Sequence, residues 1–275
     1  MSLIQRRKKY KVYWRITKES LSRVFGYGQK RTQGLVHEQY SESWSTAVGV
    51  LPQQQYKAGL MWLGNELVIR RGIDYLKYTI EELARAIHSL QSESVVELGS
   101  GDGFILMSLA VMCPEVKSFK GIDLTKEGIR VSKENLLKPM VEELSYVTGE
   151  TAEVITARLH KHSIDFIEGD MLHLALPSGS CDLVFSRVAL EQLPKDYLQA
   201  MKEARRITKK YAIFIEEFSE AQRNIFQRMH LKNSDYFHAP LSSLQKAGFE
   251  LIRFERVFLS KIKFSLGFAM CKVRK

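Results

Sequence analysis

The chain has little of what stabilises small secreted or metal-rich proteins. Its 275 residues contain three cysteines, Cys113, Cys181 and Cys271, and no two of them stand at a paired spacing. Such a set forms neither a disulfide framework nor a zinc cluster, and it fits a reducing compartment. The histidine pair His160 and His162 is typical of a solvated segment, so we expect no metal site.

Long apolar runs are also missing. No stretch approaches the roughly 18 consecutive apolar residues of a membrane-spanning helix, and the basic N-terminus is not followed by the apolar segment of a signal peptide. The composition, 45% hydrophobic and 26% charged, is that of an ordinary globular protein. We therefore expect a cytoplasmic protein, with peripheral contact to a membrane surface as an option.

Positive charge is concentrated at one end of the chain. The formal net charge is +10, yet residues 1–31 hold ten of the 41 basic residues and one of the 31 acidic residues. Residues 32–275 are therefore nearly neutral. Because nucleic-acid enzymes usually spread basic residues over the body of the domain, nucleic acid is the less favoured partner. Residues 1–31 fit a solvated or docked extension, an anchor on an anionic membrane surface, or an RNA-binding arm.

From residue 65 onward, the apolar pattern alternates between the periods of a helix and of a strand. This alternation predicts an α/β fold with a doubly wound, mostly parallel, seven-stranded sheet that ends in an antiparallel strand. The predicted strands are 94–99, 118–123, 163–170, 181–187 and 211–218, followed by the runs 250–259 and 263–273. Helices are predicted over 65–90 and 104–113, from 126, and over 194–207 and 240–249.

The same pattern suggests a division of the chain. Residues 1–31 form a basic extension that we expect to be helical, although part of it also alternates at the strand period. Residues 32–64 form a cap beside the main domain, which spans 65–275. Within that domain, 125–162 is long enough for an insertion of one or two helices, and 218–240 predicts a lid, since loops on rigid scaffolds often carry function.

A glycine-rich turn, ELGSGDGF, follows the first strand of the alternating region. Three glycines stand at alternate positions, with one acid before them and one among them: Glu97, Gly99, Gly101, Asp102 and Gly103. Glycine permits positive φ and close approach of a ligand to the backbone, and doubly wound sheets bind ligands where their strands end. The dinucleotide fingerprint G-x-G-x-x-G is not met, because Phe104 stands where its third glycine would fall.

The two carboxylates of the turn indicate the charge of its ligand. Glu97 and Asp102 flank the position that a pyrophosphate would occupy, where like charges a few ångströms apart repel. An ammonium or sulfonium group is instead attracted. The turn therefore favours a cationic cofactor over a dinucleotide.

At these residues the chain resembles the class I S-adenosylmethionine-dependent methyltransferases, whose turn reads E/D-x-G-x-G-x-G. The resemblance covers about residues 65–258 and implies a Rossmann-like methyltransferase fold with S-adenosylmethionine as cofactor. In the family, the first acid holds the methionine ammonium, an acid after the second strand binds the ribose hydroxyls, and an acid after the third meets the adenine amine. The implied cofactor-binding residues are Glu97, Gly99, Ser100, Gly101, Asp102, Gly103, Asp123, Leu124, Asp170, Met171, Ser186 and Arg187.

The chain departs from the family pattern at Gln192, where many members that act on small molecules have histidine. The resemblance therefore leaves the proton acceptor unassigned. We favour Glu216, at the end of the fifth strand, and His230, in the lid, as catalytic residues. Weaker candidates are His37, Glu217 and His238.

Two motifs that the chain does not contain limit the class of methyl acceptor. The fourth strand is followed neither by the Asn-Pro-Pro-Tyr motif of adenine methyltransferases nor by the Pro-Cys pair of pyrimidine methyltransferases. The stretch LEQLP resembles members that act on metabolites, lipids and sugars. We expect transfer to a small-molecule, lipid or lipid-linked glycan acceptor, at oxygen. The alternatives are an RNA or protein methyltransferase, a non-catalytic cofactor-binding scaffold and, least favoured, a nicotinamide oxidoreductase. The oligomeric state stays open.

Overall fold

The structure, a computed structural model, describes residues 3–24, 51–52 and 55–274. The loop expected at 26–34, most of the cap at 32–64 and the candidate base His37 lie outside the described residues. The helices are α1 (Leu3–Val24), α2 (Gly72–Leu90), α3 (Phe104–Met112), α4 (Lys126–Leu137), α5 (Val141–Thr148), α6 (Ala152–Lys161), α7 (Tyr197–Ile207), α8 (Ile225–Ser234) and α9 (Ser242–Lys246). The strands are β1 (Ala58–Leu63), β2 (Glu66–Arg71), β3 (Ser94–Leu98), β4 (Ser118–Asp123), β5 (Ser163–Glu168), β6 (Cys181–Arg187), β7 (Thr208–Glu216), β8 (Phe249–Arg256), β9 (Leu259–Lys261) and β10 (Gly267–Val273).

A seven-stranded sheet organises the main domain in the order β5-β4-β3-β6-β7-β10-β8. Strands β3 to β7 run parallel, and β10 lies antiparallel between β7 and β8. The predicted doubly wound sheet with an antiparallel C-terminal strand is therefore confirmed. The chain order reverses beside β3, so the carboxyl ends of β3, β4 and β6 border the crevice in which such sheets bind ligands.

Apolar side chains cover both faces of this sheet. Neighbouring residues of β3 point to opposite sides, so that Val95 joins one core and Val96 the other. Helices α2, α3, α5 and α6 bury their apolar faces on the first side, whereas α7 and α9 pack on the second. Burial on both faces explains why the strands read as apolar runs in the sequence.

The helix predicted over 65–90 is wrong in its first two turns or so, residues 65–71. Residues 66–71 form β2, which pairs antiparallel with β1 across a two-residue loop, Gly64 and Asn65. Gly64 has φ +55°, as such tight hairpin loops require. Strand β9 adds to β1 and completes a second, three-stranded sheet. The proposed boundary between residues 64 and 65 thus falls within a hairpin, and α2 begins at Gly72.

The N-terminal helix α1 packs on this second sheet and on α8. Tyr13 and Ile16 are buried with Leu67 of β2 and Ile262. The predicted helical extension is therefore confirmed, and the competing strand is excluded for Leu3–Val24.

The two long segments of the main domain are largely helical. Residues 125–162 hold α4, α5 and α6, and residues 218–240 hold a 3₁₀ turn (Ser219–Ala221) and α8. Among the helices of the described residues, none is both long and apolar enough to span a bilayer.

Candidate active site

The glycine turn joins β3 to α3 with three residues in the left-handed region of φ. Gly99, Gly101 and Gly103 have φ values of +78°, +51° and +76°. The backbone N–H groups of Gly99 and Ser100 both donate to the Ile122 carbonyl of β4, at 2.7 and 3.0 Å. Each alternate glycine of the sequence therefore serves a conformation that other residues adopt only at a cost.

Gly99 is also closely packed. A Cβ built on it would lie 2.6 Å from the Cβ of Ala189, in the loop after β6. Gly149, at the end of α5, has the same φ within a degree, but its Cβ would meet nothing within 4 Å. The two positions share the conformational requirement and differ in their surroundings.

Gly99→Ala is therefore expected to destabilise the fold more than Gly149→Ala. The left-handed conformation costs about 1–2 kcal/mol in both variants, and the clash with Ala189 adds about 1–3 kcal/mol at Gly99 alone. Thermal unfolding of both variants measures this difference. Equal melting temperatures would contradict the close packing of the turn on the β6 loop.

Asp123, at the end of β4, ties the turn to the neighbouring strand. Its Oδ2 accepts from the Gly101 N–H at 2.9 Å, and its Oδ1 accepts from the N–H and hydroxyl of Thr125 at 2.9 and 2.7 Å. Thr125 in turn caps α4 by accepting from the Gly128 N–H at 3.1 Å. The carboxylate is thereby fixed at the edge of the crevice.

A groove of about 770 Å³, open to solvent, runs along these strand ends. Six of the residues that sequence reasoning selected border it: Gly99, Gly101, Asp123, Leu124, Asp170 and Met171. Sequence reasoning missed Ile122, Thr125, Gly169, Val188, Ala189, Gln192 and Leu193. The last four follow β6 in the LEQLP region, which the sequence placed near the methyl-transfer site without assigning its residues to the groove.

Val188 is the strained member of this lining. Its φ of +54° is an outlier for a β-branched residue. Its N–H donates to the Ile215 carbonyl of β7 at 3.1 Å, which holds the loop after β6 against the next strand. Such strain persists where surrounding contacts enforce it, and it clusters at ligand sites.

Glu97, at the end of β3, is a buried carboxylate beneath the turn. It is 1% exposed, and its Oε2 has no hydrogen-bond partner among the described residues. Burial and the nearby charge of Asp102 raise the pKa of Glu97 well above its usual range, and Arg187 opposes the rise. Burial likewise raises the pKa of Asp102 to about 6. The buried hydroxyl of Ser100 also has no partner within the described part of the chain. This donor-poor, acid-rich pocket fits an ammonium group.

A second carboxylate, Glu216, lies at the end of β7. It is fully buried, and its Oε1 accepts from the Ser186 hydroxyl at 2.7 Å and from the Ala189 N–H at 3.3 Å. Its Oε2 is buried and has no partner among the described residues. Burial raises the pKa of Glu216 to about 8. Since Ala189 also borders the groove, Glu216 lies directly behind the groove wall.

Glu216 belongs to a group of ionisable side chains, here called the buried charge cluster. The guanidinium of Arg187 lies over the Tyr75 ring at 5.2 Å, and Lys261 Nζ lies 5.7 Å from the same ring centre. Burial lowers the pKa of Lys261. Burial raises the pKa of Glu217, and the nearby carboxylates of Glu191 and Glu216 raise it further. The cluster is Tyr75, Arg187, Glu191, Glu216, Glu217 and Lys261.

The raised pKa of Glu217 predicts a pH-dependent loss of stability. Its oxygens are buried and accept no hydrogen bond from a described N–H or O–H group. At pH values between the ordinary glutamate pKa and the raised one, the folded protein keeps a proton that the unfolded chain releases. The free energy of unfolding therefore falls as the pH rises through this window, by about 1.4 kcal/mol per unit of pH. We expect Glu217→Gln to be neutral near pH 5 and to raise the melting temperature at pH 8.5.

The exposed Glu142→Gln variant is the control for this measurement, since it removes a carboxylate from the surface of α5. It is expected to change the melting temperature little at either pH. A Glu217→Gln variant that follows the wild-type pH dependence would show that Glu217 carries no raised pKa.

The two histidines of the segment 218–240 lie outside the groove lining. His230, on α8, is buried and stacks on Phe264 with ring centres 6.3 Å apart. Burial, with the positive charges of Lys263 and Arg15, lowers its pKa to about 4. His238 is exposed, with Nδ1 2.7 Å from the Tyr236 carbonyl. Ser186 and Arg187 also lie outside the groove lining. Ser186 donates to Glu216, and Arg187 lies over the Tyr75 ring.

One group of possible metal ligands occurs among the described residues, away from the groove. Side-chain atoms of His88, Cys113 and Glu115 lie within 4.8 Å of one another near the N-terminal ends of β3 and β4. His88 and Glu115 pair with each other at 2.6 Å, and burial raises the pKa of the Cys113 thiol. These contacts account for the group without an ion.

Comparison with known proteins points to one family. Residues 96–215 match a family model described as a methyltransferase domain. The N-methyltransferase NodS from Bradyrhizobium japonicum WM9, solved with S-adenosyl-L-homocysteine, aligns with a TM-score of 0.56 at 11% identity, over 87% of this chain and 98% of that one. A search of the curated proteins gave no significant match.

Two further solved structures share the fold. A methyltransferase from Methanosarcina mazei described as S-adenosylmethionine-dependent aligns with a TM-score of 0.52 at 18% identity, over 69% of this chain and 97% of that one. Magnesium protoporphyrin IX methyltransferase from Synechocystis PCC 6803, solved with S-adenosyl-L-homocysteine, aligns with a TM-score of 0.51 at 13% identity. The alignment covers 72% of this chain and 83% of that one. The matched residues 96–215 contain the glycine turn and both acids of the groove. Residues 96–215 are thus similar to a methyltransferase domain, and the three solved methyltransferases share the fold of the chain.

Proposed function

We propose that the protein transfers a methyl group from S-adenosylmethionine to a hydroxyl of a small-molecule, lipid or glycan acceptor, with Glu216 as the proton acceptor. One observation carries the proposal. One carboxylate oxygen of Glu216 accepts from Ser186 and Ala189, and the other has no partner among the described residues. A carboxylate so placed, directly behind the groove wall, is fixed in orientation and has one oxygen left to accept a proton.

The groove residues suit the three parts of the cofactor. Glu97 would hold the methionine ammonium, and its buried Oε2, which no described residue contacts by a hydrogen bond, supports that role. Asp123, at the end of β4, would bind the ribose hydroxyls. Asp170 and Met171, after β5, would meet the adenine, and Leu124 borders the same part of the groove. Gly99 and Gly101 allow the cofactor to lie against the backbone.

Methyl transfer makes modest chemical demands on the chain. Bound S-adenosylmethionine supplies an activated methyl group on a positively charged sulfur. The protein must align the acceptor oxygen in line with that methyl at about 3–3.5 Å, and positioning contributes roughly 7–11 kcal/mol to such reactions. Glu216 would take the hydroxyl proton. Ser186 would act as a positioning residue, because its hydroxyl fixes the Glu216 carboxylate.

Glu216 suits the base role better than His230. A base works best when its pKa lies near the working pH, and the pKa of Glu216 is about 8 whereas that of His230 is about 4. His230 is packed against Phe264. We assign it a packing role beneath α1.

Domain organisation follows the same proposal. The hairpin β1–β2 spans the boundary predicted at residues 64 and 65, so the catalytic domain would not begin there; 218–240 would be its lid and 125–162 a helical insertion. The hairpin would close the acceptor side, since it pairs with β9, whose Lys261 belongs to the buried charge cluster.

Methyl transfer itself tests the proposal. The full chain is incubated with S-adenosylmethionine carrying a labelled methyl group, together with metabolite pools, polar lipids, RNA or protein in separate reactions. Label in a small molecule or lipid, lost with Asp123→Ala, is the expected result. Label only in RNA or protein would move the acceptor to that class. Cofactor binding without transfer to any pool would leave a cofactor-binding scaffold.

A further inference from the structure

We propose that the outward face of α1 docks the protein onto an anionic lipid surface. This face is defined by the exposed residues Arg6, Arg7, Lys8, Tyr10, Lys11, Trp14, Arg15 and Lys18. The proposal goes beyond methyl transfer, and it is tested by binding alone.

The inward face of α1 holds the helix in one orientation on the body. Tyr13 stacks on Phe226 of α8 with ring centres 4.3 Å apart and planes 9° apart, and its hydroxyl accepts from Asn224 at 3.0 Å. Asn233 donates to the Ile16 carbonyl at 3.2 Å and to the Ser20 hydroxyl at 2.6 Å. The outward face therefore points away from the domain as a fixed surface.

The outward face combines exposed aromatic and basic residues. Trp14 is 73% exposed and Tyr10 is 69% exposed. Arg7 lies seven residues before Trp14, Lys11 lies three before it, and Lys18 lies four after it. At 100° per residue, these spacings place all four side chains on the same side of the helix. Glu19, the acid of α1, pairs with Arg15 at 3.1 Å. The basic residues of this face therefore outnumber the acid of the helix.

An anionic membrane surface satisfies both components. Trp and Tyr favour the headgroup level, where an apolar ring and a polar edge are both accommodated. Each basic residue near an anionic surface raises affinity about fivefold. Nucleic acid fits less well, because residues 32–275 are nearly neutral.

Docking would connect to the acceptor site through α8. This helix lies in the segment 218–240, which begins directly after Glu217 of the buried charge cluster. Because α1 is packed on α8, the docked face lies next to the segment that follows the proposed base. A lipid or lipid-linked acceptor would then be met by a protein already seated on its membrane.

Vesicle flotation with the full chain tests the proposal. The probes are vesicles of phosphatidylcholine alone and of phosphatidylcholine with phosphatidylglycerol, at low and at physiological salt. We expect binding to the anionic vesicles only, weakened by salt because exposed charges are screened. Replacing Arg7, Lys11 and Lys18 by serine should weaken binding about 100-fold.

Two further variants separate the surface from net charge. The exposed Lys202, Lys209 and Lys246 carry the same charge on the α7 and α9 side of the domain, so replacing them by serine should leave binding within about threefold of wild type. Trp14→Ala should weaken binding without changing the charge. Thermal unfolding and cofactor binding should be unchanged in all three variants, because these side chains lie outside the core and the groove.

Three outcomes would overturn the proposal. The first is no binding of the wild-type chain to anionic vesicles. The second is an equal loss of binding in the Lys202, Lys209 and Lys246 variant, which would indicate a general charge effect. The third is RNA bound more tightly than anionic vesicles at physiological salt through the same α1 residues, which would assign the face to nucleic acid. Methyl-transfer activity enters none of these readouts.

Discussion

Replacing Glu216 by glutamine is expected to lower kcat at least 100-fold while leaving the affinity for S-adenosylmethionine within about threefold. Glutamine keeps an oxygen that can accept from Ser186 and from the Ala189 N–H, so the loop after β6 stays in place. It has no capacity to take a proton, and a positioned base contributes about 10²- to 10⁴-fold to such reactions. Steady-state kinetics with the identified acceptor, together with calorimetric cofactor binding, measures both quantities.

The pH profile gives the same variant a second readout. Because the pKa of Glu216 is about 8, the carboxyl is protonated at neutral pH, and kcat should rise with pH until that proton is lost. The Glu216→Gln profile should lack this limb. His230→Asn is the control, with kcat expected within about threefold of wild type. A Glu216→Gln enzyme as active as wild type, or an equal loss in His230→Asn, would remove Glu216 from the base role.

Asp123→Ala is expected to weaken S-adenosylmethionine binding 100-fold or more. The variant would lose the ribose hydroxyl contacts, and hydrogen bonds to a charged group contribute about 1.5–3 kcal/mol each. It would also release the Gly101 N–H, which Asp123 holds at 2.9 Å. Calorimetric titration measures the dissociation constant.

Asp165→Ala is the matched control for this variant. Asp165 lies on the neighbouring strand β5 and is exposed, so its loss should leave cofactor binding unchanged. If Asp123→Ala bound the cofactor as tightly as Asp165→Ala, the ribose would have to lie elsewhere. Thermal unfolding of both variants separates a local loss of contacts from unfolding of the turn.

The alternating region was readable from the sequence because its signals are local. Strands buried on both faces appear as short apolar runs, and β3, β4, β6 and β7 fall within a few residues of their expected positions. The glycine turn was readable for a similar reason, since three left-handed residues in five positions leave glycine as the residue that adopts them freely. Asp123 and Asp170 followed from the strand ends.

Other features depend on contacts that are distant in the chain. Residues 66–71 continue the helical pattern of α2, and only pairing with β1 makes them a strand, although the Gly64–Asn65 loop is a hairpin signal. The orientation of α1 depends on Tyr13 meeting Phe226 more than 200 residues later. The buried charge cluster likewise unites Tyr75 of α2 with Lys261 of β9, so periodicity gave no sign of it.

Parallel calorimetric titrations of the full chain with S-adenosylmethionine and with NADH show which of the two cofactors the glycine turn selects. Glu97, Asp102 and Asp123 form an acid-lined glycine turn, which should select a positively charged cofactor. We expect a single saturable site for S-adenosylmethionine, with Kd below about 1 mM, and no heat from NADH under the same conditions. Tight NADH binding with no heat from S-adenosylmethionine would contradict it.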